Sequence, residues 1–244
     1  MQFSVIVPTY NEEQYIEACL NSIRQQNLQR TEYEVIVSDG NSYDHTRDRA
    51  TRFADRIVIN EKRGASVQRN YGAKYATGDV LVFIDADTKI CPDFLSILKI
   101  YFTDPATVAV TGIAFPADGY LPQRFVFRAT YWLVYVFHWL HLSLFPGMCV
   151  AYRRDAFESV HGFCEDYTTL EDLDLSKRIA ILGKTQVASK AHAYTSTRRI
   201  EKHLISTVAY HIYCDARYLI TGKAPRRYPK VEELQSWRDL WKSL

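Results

Sequence analysis

With 244 residues, 47% of them hydrophobic and 24% charged, the chain has the length and composition of one sizeable α/β domain with a real core. A formal charge of +2 is too small to mark a nucleic-acid binder, so nucleic acid is not an expected partner. The five cysteines (Cys19, Cys91, Cys149, Cys164, Cys214) are scattered and lack a C-x-x-C pair, which argues against a disulfide framework or a zinc site and favours a reducing compartment.

The first hundred residues alternate strand and helix. Val5–Val7 is an apolar run, followed by a helical stretch over about 12–26 with Ile16, Cys19, Leu20 and Ile23 on one face. Val35–Val37 is a second run, followed by a helix near 44–54 and a short strand at Ile57–Ile59. A helix over about 65–76 then leads into Val80–Ile84. Continuous apolar strands separated by amphipathic helices indicate a mostly parallel sheet covered on both faces. The second half is less regular: a strand at Val108–Val110, a helix over about 124–142, a strand over 148–152, a helix over about 171–182 and a last helix near 200–221. That last helix stops at Gly222, with Pro225 beyond. Met1-Gln2-Phe3-Ser4 enters the first strand with no basic leader. The expected location is therefore cytoplasmic, with the cytoplasmic face of a membrane as the open alternative.

The informative residues follow the strands. Pro8-Thr9-Tyr10-Asn11-Glu12 comes after the first, Ser38-Asp39-Gly40-Asn41-Ser42 after the second, and Asp85-Ala86-Asp87 after Val80–Ile84. Ligands of open parallel sheets bind beyond the carboxyl ends of strands near a topological switch. Any one of these segments also reads as a turn or helix cap, and three together shift the balance to a ligand crevice. Two carboxylates one residue apart after a buried strand repel each other and resist burial. A cation such as Mg²⁺ or Mn²⁺, bridging Asp85 and Asp87 to a diphosphate, relieves that repulsion. Neither a G-x-G-x-x-G loop after the first strand nor a G-x-x-x-x-G-K-[ST] loop is present, which disfavours dinucleotide oxidoreductases and P-loop NTPases.

Taken in order, these blocks resemble family 2 glycosyltransferases. They are Ser4 to Glu12, Val37-Ser38-Asp39-Gly40, Arg63-Gly64-Ala65-Ser66, Arg69-Asn70-Tyr71-Gly72-Ala73, Ala76-Thr77-Gly78-Asp79 and Phe83-Ile84-Asp85-Ala86-Asp87-Thr88. Cys149 to Phe157, Gly162-Phe163 and Leu170 to Leu175 continue the likeness more loosely. The resemblance implies a GT-A (Rossmann-like) α/β domain over 1–222, with a nucleotide-sugar half (1–115) and an acceptor and catalytic-base half (116–222). A helical C-terminal extension and a basic tail over 223–244 complete the chain. By position, Pro8, Thr9, Tyr10, Glu12 and Asp39 line the nucleoside pocket, with Asp39 accepting from the base and Glu12 from the ribose. Arg63, Gly64 and Arg69 lie near the donor sugar and diphosphate, and Ala86 lies between the two acids. Asp85 contacts ribose or sugar, and Asp87 is the principal metal ligand. One acid before Gly40, where many relatives have two, leaves the base preference open between UDP- and GDP-linked donors.

The same resemblance implies a single in-line displacement with inversion, which needs a carboxylate base and a cation on the leaving diphosphate. Asp172 is the expected base, with Glu171 the close alternative. Thr168 and Thr169 ahead of these acids also read as an N-terminal cap. Asp174 is expected as a solvated helix charge. Arg198 and Arg199 are read as a clamp for a diphosphate or acceptor phosphate, or else as a basic turn. His192 is weighed as a further metal ligand against a plain histidine, which is the expectation.

The 17 Tyr, 12 Phe and 4 Trp are a heavy aromatic load, and five of them fall in the nearly all-apolar stretch 129–140. It is shorter than the roughly twenty residues a membrane span needs. Core, dimer contact, acceptor site and bilayer interface all remain open for it. With Lys223, Arg226, Arg227 and Lys230 in the tail, it suggests peripheral membrane contact and a sugar or lipid-linked acceptor. Two rival functions stand: a sugar nucleotidyltransferase, whose usual glycine-rich loop is missing here, and a non-catalytic sugar-nucleotide-binding protein.

Overall fold

A computed structural model describes residues 1–140, 142–167, 169–198 and 204–222. In chain order the elements are β1 (Phe3–Thr9), α1 (Ile16–Arg24), β2 (Tyr33–Asp39), α2 (Thr46–Ala50), β3 (Arg56–Ile59), α3 (Ala65–Ala73), β4 (Val80–Ile84), β5 (Thr88–Ile90), α4 (Phe94–Phe102), β6 (Thr107–Pro116), α5 (Leu121–Trp139), β7 (Cys149–Arg153), α6 (Arg154–Ser159), α7 (Glu171–Ile179), β8 (Lys184–Thr195) and α8 (Leu204–Thr221). The described strands form one sheet in the order β3-β2-β1-β4-β7-β6-β8-β5.

The apolar runs occupy the middle of this sheet because both faces are covered. Val5, Ile6, Val7, Val35, Ile36, Val37 and all of Val80–Ile84 are fully buried, each worth roughly 1.5–3 kcal/mol of transfer free energy. α1 buries the expected stripe of Ile16, Cys19, Leu20 and Ile23. α3 lies close on β1 and β2 because Gly72 has no side chain. A Cβ there would stand 2.6 Å from Ile6 Cγ2 and 3.1 Å from Ser38 Cβ.

Strands β3, β2, β1 and β4 run parallel, and β7 joins β4 antiparallel. The chain winds outward from β1 through β2 to β3, then returns to lay β4 on the other flank of β1. The topological switch therefore lies between the carboxyl ends of β1 and β4. β6 pairs with β7 antiparallel and with β8 parallel, and β8 carries the short β5 on its far edge. That pairing sets Thr88 opposite Thr195. The sheet edge beyond β4 thus meets the end of β8, more than a hundred residues away.

β5, α4, α6 and β8 are additions to the sequence reading. α4 is apolar almost throughout, so its period is hidden until Phe94, Leu95, Leu98 and Phe102 turn inward. β8 is the opposite case, a long strand of mostly small and polar residues held by neighbours on both sides. All five cysteines are free. The tail 223–244 lies outside the described residues.

Candidate active site

The crevice begins where β1 and β2 end in register, Thr9 beside Asp39. Asp39 is fully buried, and its charge is met by protein donors. Thr9 Oγ1 donates to Oδ2 at 2.9 Å and Ser42 Oγ at 2.6 Å, while Ser42 N donates to Oδ1 at 2.8 Å. Arg47 Nε lies 4.0 Å from Oδ1. A carboxylate offers about four acceptor positions, so roughly one is left for a ligand donor. Both loops hold a residue in the left-handed region, Asn11 at φ 54° and Asn41 at φ 61°. They are tied together by Asn11 N to Ser42 Oγ and Tyr43 N to Asn11 Oδ1.

Over this edge the Arg63 guanidinium stacks 4.4 Å from the centre of the Tyr10 ring, and Tyr43 meets Tyr10 edge-on. Gln68 holds the loop bearing Arg63, accepting from Gly64 N at 2.9 Å and donating to Lys62 O at 2.8 Å. Gly64 sits at φ 146°, which favours glycine. Pro8 is half-buried and Ala86 buried, so they present backbone and shape to the crevice.

At the end of β4 the two acids part company. Asp85 Oδ1 accepts from Arg69 Nη2 at 2.8 Å, and Arg69 Nη1 donates to Glu171 Oε1 at 2.9 Å. Arg69 is buried. Burial opposes its charge, but Asp85 and Glu171 outweigh that and hold the guanidinium firmly protonated. Asp172, the next residue of α7, accepts from Gly147 N at 2.7 Å and from Leu173 N at 2.9 Å. Burial, reinforced by Glu171, pushes its carboxyl up to about 7, against the opposing pull of Arg69. Gly147 fits between these groups because it has no side chain: a Cβ would lie 3.2 Å from both Arg69 Nη2 and Asp172 Cβ.

Asp87 faces the other way, toward the end of β8. Arg198 Nε donates to Asp87 Oδ2 at 3.1 Å, and Arg198 Nη2 donates to Glu12 Oε1 at 2.6 Å. Thr195 Oγ1 adds a long contact of 3.4 Å to Asp87 Oδ1. The Arg198 guanidinium also stacks 4.4 Å over the Tyr15 ring. One arginine thus joins the segment after β1 to the segment after β4. Arg199 and Thr168 lie outside the described residues.

Two sequence readings are corrected here. The start of α7 is not a threonine cap; its N-cap is Leu170, at φ 64° with no side-chain cap bond. Asp174 is not solvated but buried, accepting from Tyr218 OH on α8 at 2.9 Å and pairing with Arg178 at 2.7 Å. Neither role is visible without knowing that α8 packs there. His192 keeps the expected plain setting, with Nε2 3.0 Å from Ser189 O and its ring edge-on to Phe115. Gly147 and Thr195 are site residues that sequence reasoning passed over. Ser42 stands in the loop read as lining the crevice, but its bonds to Asp39 emerge only in the structure.

A sheet wound about β1, mixed beyond β4, flanked by helices and closed by a C-terminal helix is a GT-A-like architecture, the scaffold of nucleotide-sugar glycosyltransferases. The chain belongs to glycosyl transferase family 2, whose profile matches residues 4–160. The glucosyl-dolichyl phosphate glucuronosyltransferase of Haloferax volcanii is 31% identical over 176 residues, 67% of this chain and 56% of that protein. Glycosyltransferase AglE of the same organism is 36% identical over 90 residues, 34% of this chain and 30% of its own length. The chain therefore spans well under two thirds of these curated relatives. Among solved structures, the mannosyltransferase PcManGT of Pyrobaculum calidifontis, in complex with GDP-Man and Mn²⁺, superimposes with a TM-score of 0.71 at 25% identity. That match covers 92% of this chain and 66% of the other.

Proposed function

We propose that the chain transfers a sugar from a UDP- or GDP-linked donor to an acceptor hydroxyl by in-line displacement with inversion. Residues 1–115 hold the donor and 116–222 supply the base and the acceptor side. The observation that carries this reading is Arg69, which joins Asp85 at the end of β4 to Glu171 beside Asp172. The donor edge and a carboxylate of raised proton affinity are thereby fixed in one array. Asp172 takes the proton from the acceptor hydroxyl. Its carboxyl, pushed up to about 7, is matched to that task near neutral pH. Glu171 is engaged by Arg69 and serves to position it.

On the donor side, Asp39 and Glu12 receive base and ribose, and Tyr10 with Arg63 forms a platform at the pocket mouth. Asp87, with Asp85, suits a divalent cation. Among the described residues no group of three or more His, Cys, Asp and Glu side chains forms a metal cage. Mg²⁺ and Mn²⁺ need only one or two carboxylates and complete their shell with phosphate oxygens and water. When bound, such a cation stabilises charge on the leaving diphosphate. Arg198, which donates to Asp87, would move onto that diphosphate, and Arg199 is the second arginine of the proposed clamp. A relative solved with GDP-Man and Mn²⁺ supports the donor and metal class. A relative named for a dolichyl phosphate substrate supports a lipid-linked acceptor.

The test is release of UDP or GDP from a panel of sugar nucleotides, with wild type and Asp172→Asn. Turnover of one donor, lost in the variant while nucleotide binding persists, supports the assignment. Binding without turnover of any donor would return the chain to the sugar-nucleotide-binding alternative.

A further inference from the structure

Helix α5 presents an aromatic face to solvent that the site does not use. Its inner side buries Gln123, Tyr131 and Val134. Leu121, Phe125, Arg128, Trp132, Tyr135 and Trp139 recur at spacings of four and three, which sets them on one side of a helix. Trp132 is 64% exposed and Trp139 78%, unusual for the largest apolar side chain. The chain's other tryptophans, Trp237 and Trp241, lie in the tail, so the core described here contains none. No Asp or Glu occurs anywhere in the nineteen residues of α5, while Arg124 and Arg128 are both exposed along this side. Among the described residues no helix is long and apolar enough to cross a membrane.

The segments on either side of α5 reach the active site. Just before it, Asp118 accepts from Thr197 N at 2.7 Å and from Ser196 Oγ at 3.0 Å, beside Arg198 and Asp87. Beyond its other end, Gly147 N donates to Asp172. Chain continuity thus links α5 to the segments that carry Arg198 and bind Asp172.

We propose that this face of α5 docks the protein onto an anionic bilayer surface, where the acceptor is carried; the acceptor clause rests on the transferase reading above. Exposed Trp, Phe and Tyr with arginines at their border match the headgroup boundary of a membrane, where rings sit half-inserted and guanidinium groups meet lipid phosphates. A second copy is the weaker fit. A centred two-fold pairing would bring the two Arg128 side chains near the axis, with no carboxylate on either helix to answer them.

The test is flotation of the full chain with phosphatidylcholine vesicles, with and without phosphatidylglycerol. Binding is expected only with the anionic lipid, and it should weaken as salt is raised. Trp132→Ser with Trp139→Ser should lower partitioning about 100-fold, from two large side chains left in water. Arg124→Glu with Arg128→Glu should remove the preference for anionic lipid. With Trp237→Phe and Trp241→Phe in place, the remaining tryptophans should be quenched by brominated lipid. No flotation, or flotation that survives the Trp132/Trp139 change, would overturn the proposal. So would a dimer by light scattering that already shields these tryptophans without lipid. Retained UDP or GDP binding checks that each variant is folded. Vesicle binding without sugar transfer would sink the transferase reading alone, and transfer to a soluble acceptor without vesicle binding would sink the docking alone.

Discussion

Replacing Arg69 by methionine keeps much of the side-chain volume and removes the charge that two carboxylates share. Arg69, Asp85 and Glu171 have side chains only 5%, 20% and 14% exposed, with pairing distances of 2.8 and 2.9 Å. Water screens such groups poorly, so Arg69→Met strands two largely buried carboxylates. Breaking a buried pair from one side costs about 3–5 kcal/mol. For a chain of this length that lowers Tm by roughly 6–20 °C, at about 2–4 °C per kcal/mol. Urea titration and calorimetry read this directly. Sugar transfer should fall in parallel, because Glu171 and Asp172 lose the group that holds them against Asp85. Arg69→Lys restores charge but cannot span both carboxylates with a planar fork, so it should recover only part of the stability. A methionine variant within 1 kcal/mol of wild type would refute the claim that this arginine joins the two halves.

Two further predictions concern the base. With the Asp172 carboxyl pushed up to about 7 by burial, and active in the proposed role only when deprotonated, kcat/KM should fall tenfold per pH unit below that value and level off above it. An unchanged acid limb in Asp172→Asn would assign the profile elsewhere. The sign for stability is the reverse: a folded-state value raised above that of the unfolded carboxyl contributes most below about pH 4, and the contribution is lost as pH rises through 7. For Gly147→Ala, a Cβ at 3.2 Å from Arg69 and Asp172 forces both to shift by a few tenths of an ångström. Transfer should drop about tenfold or more at a stability cost near 1 kcal/mol, and wild-type kinetics would show that the contact is slack.

The first half of the fold was largely readable in the sequence, for a physical reason. Strands buried on both faces must be continuous apolar runs, and the crevice they open must be lined by whatever follows them. Asp39, Asp85 and Asp87 could therefore be placed from sequence alone. The pairings could not. Nothing local shows that Asp85 turns to Arg69 while Asp87, two residues on, turns to Arg198. β8 escaped notice because its run from Lys184 to Thr195 is polar and small, and its strand state comes from partners on both sides. Asp174 read as a surface charge because its burial depends on Tyr218, forty-four residues later. Gly147 mattered through what it leaves open, which no residue pattern records.

The measurement that bears most directly on the central claim is calorimetric titration with UDP and GDP, each with and without Mn²⁺, on wild type and Asp87→Ala. The account predicts tight binding of one nucleotide that requires Mn²⁺ and is lost in the variant. Binding of neither nucleotide, or equal binding by wild type and variant with no dependence on the cation, would contradict it.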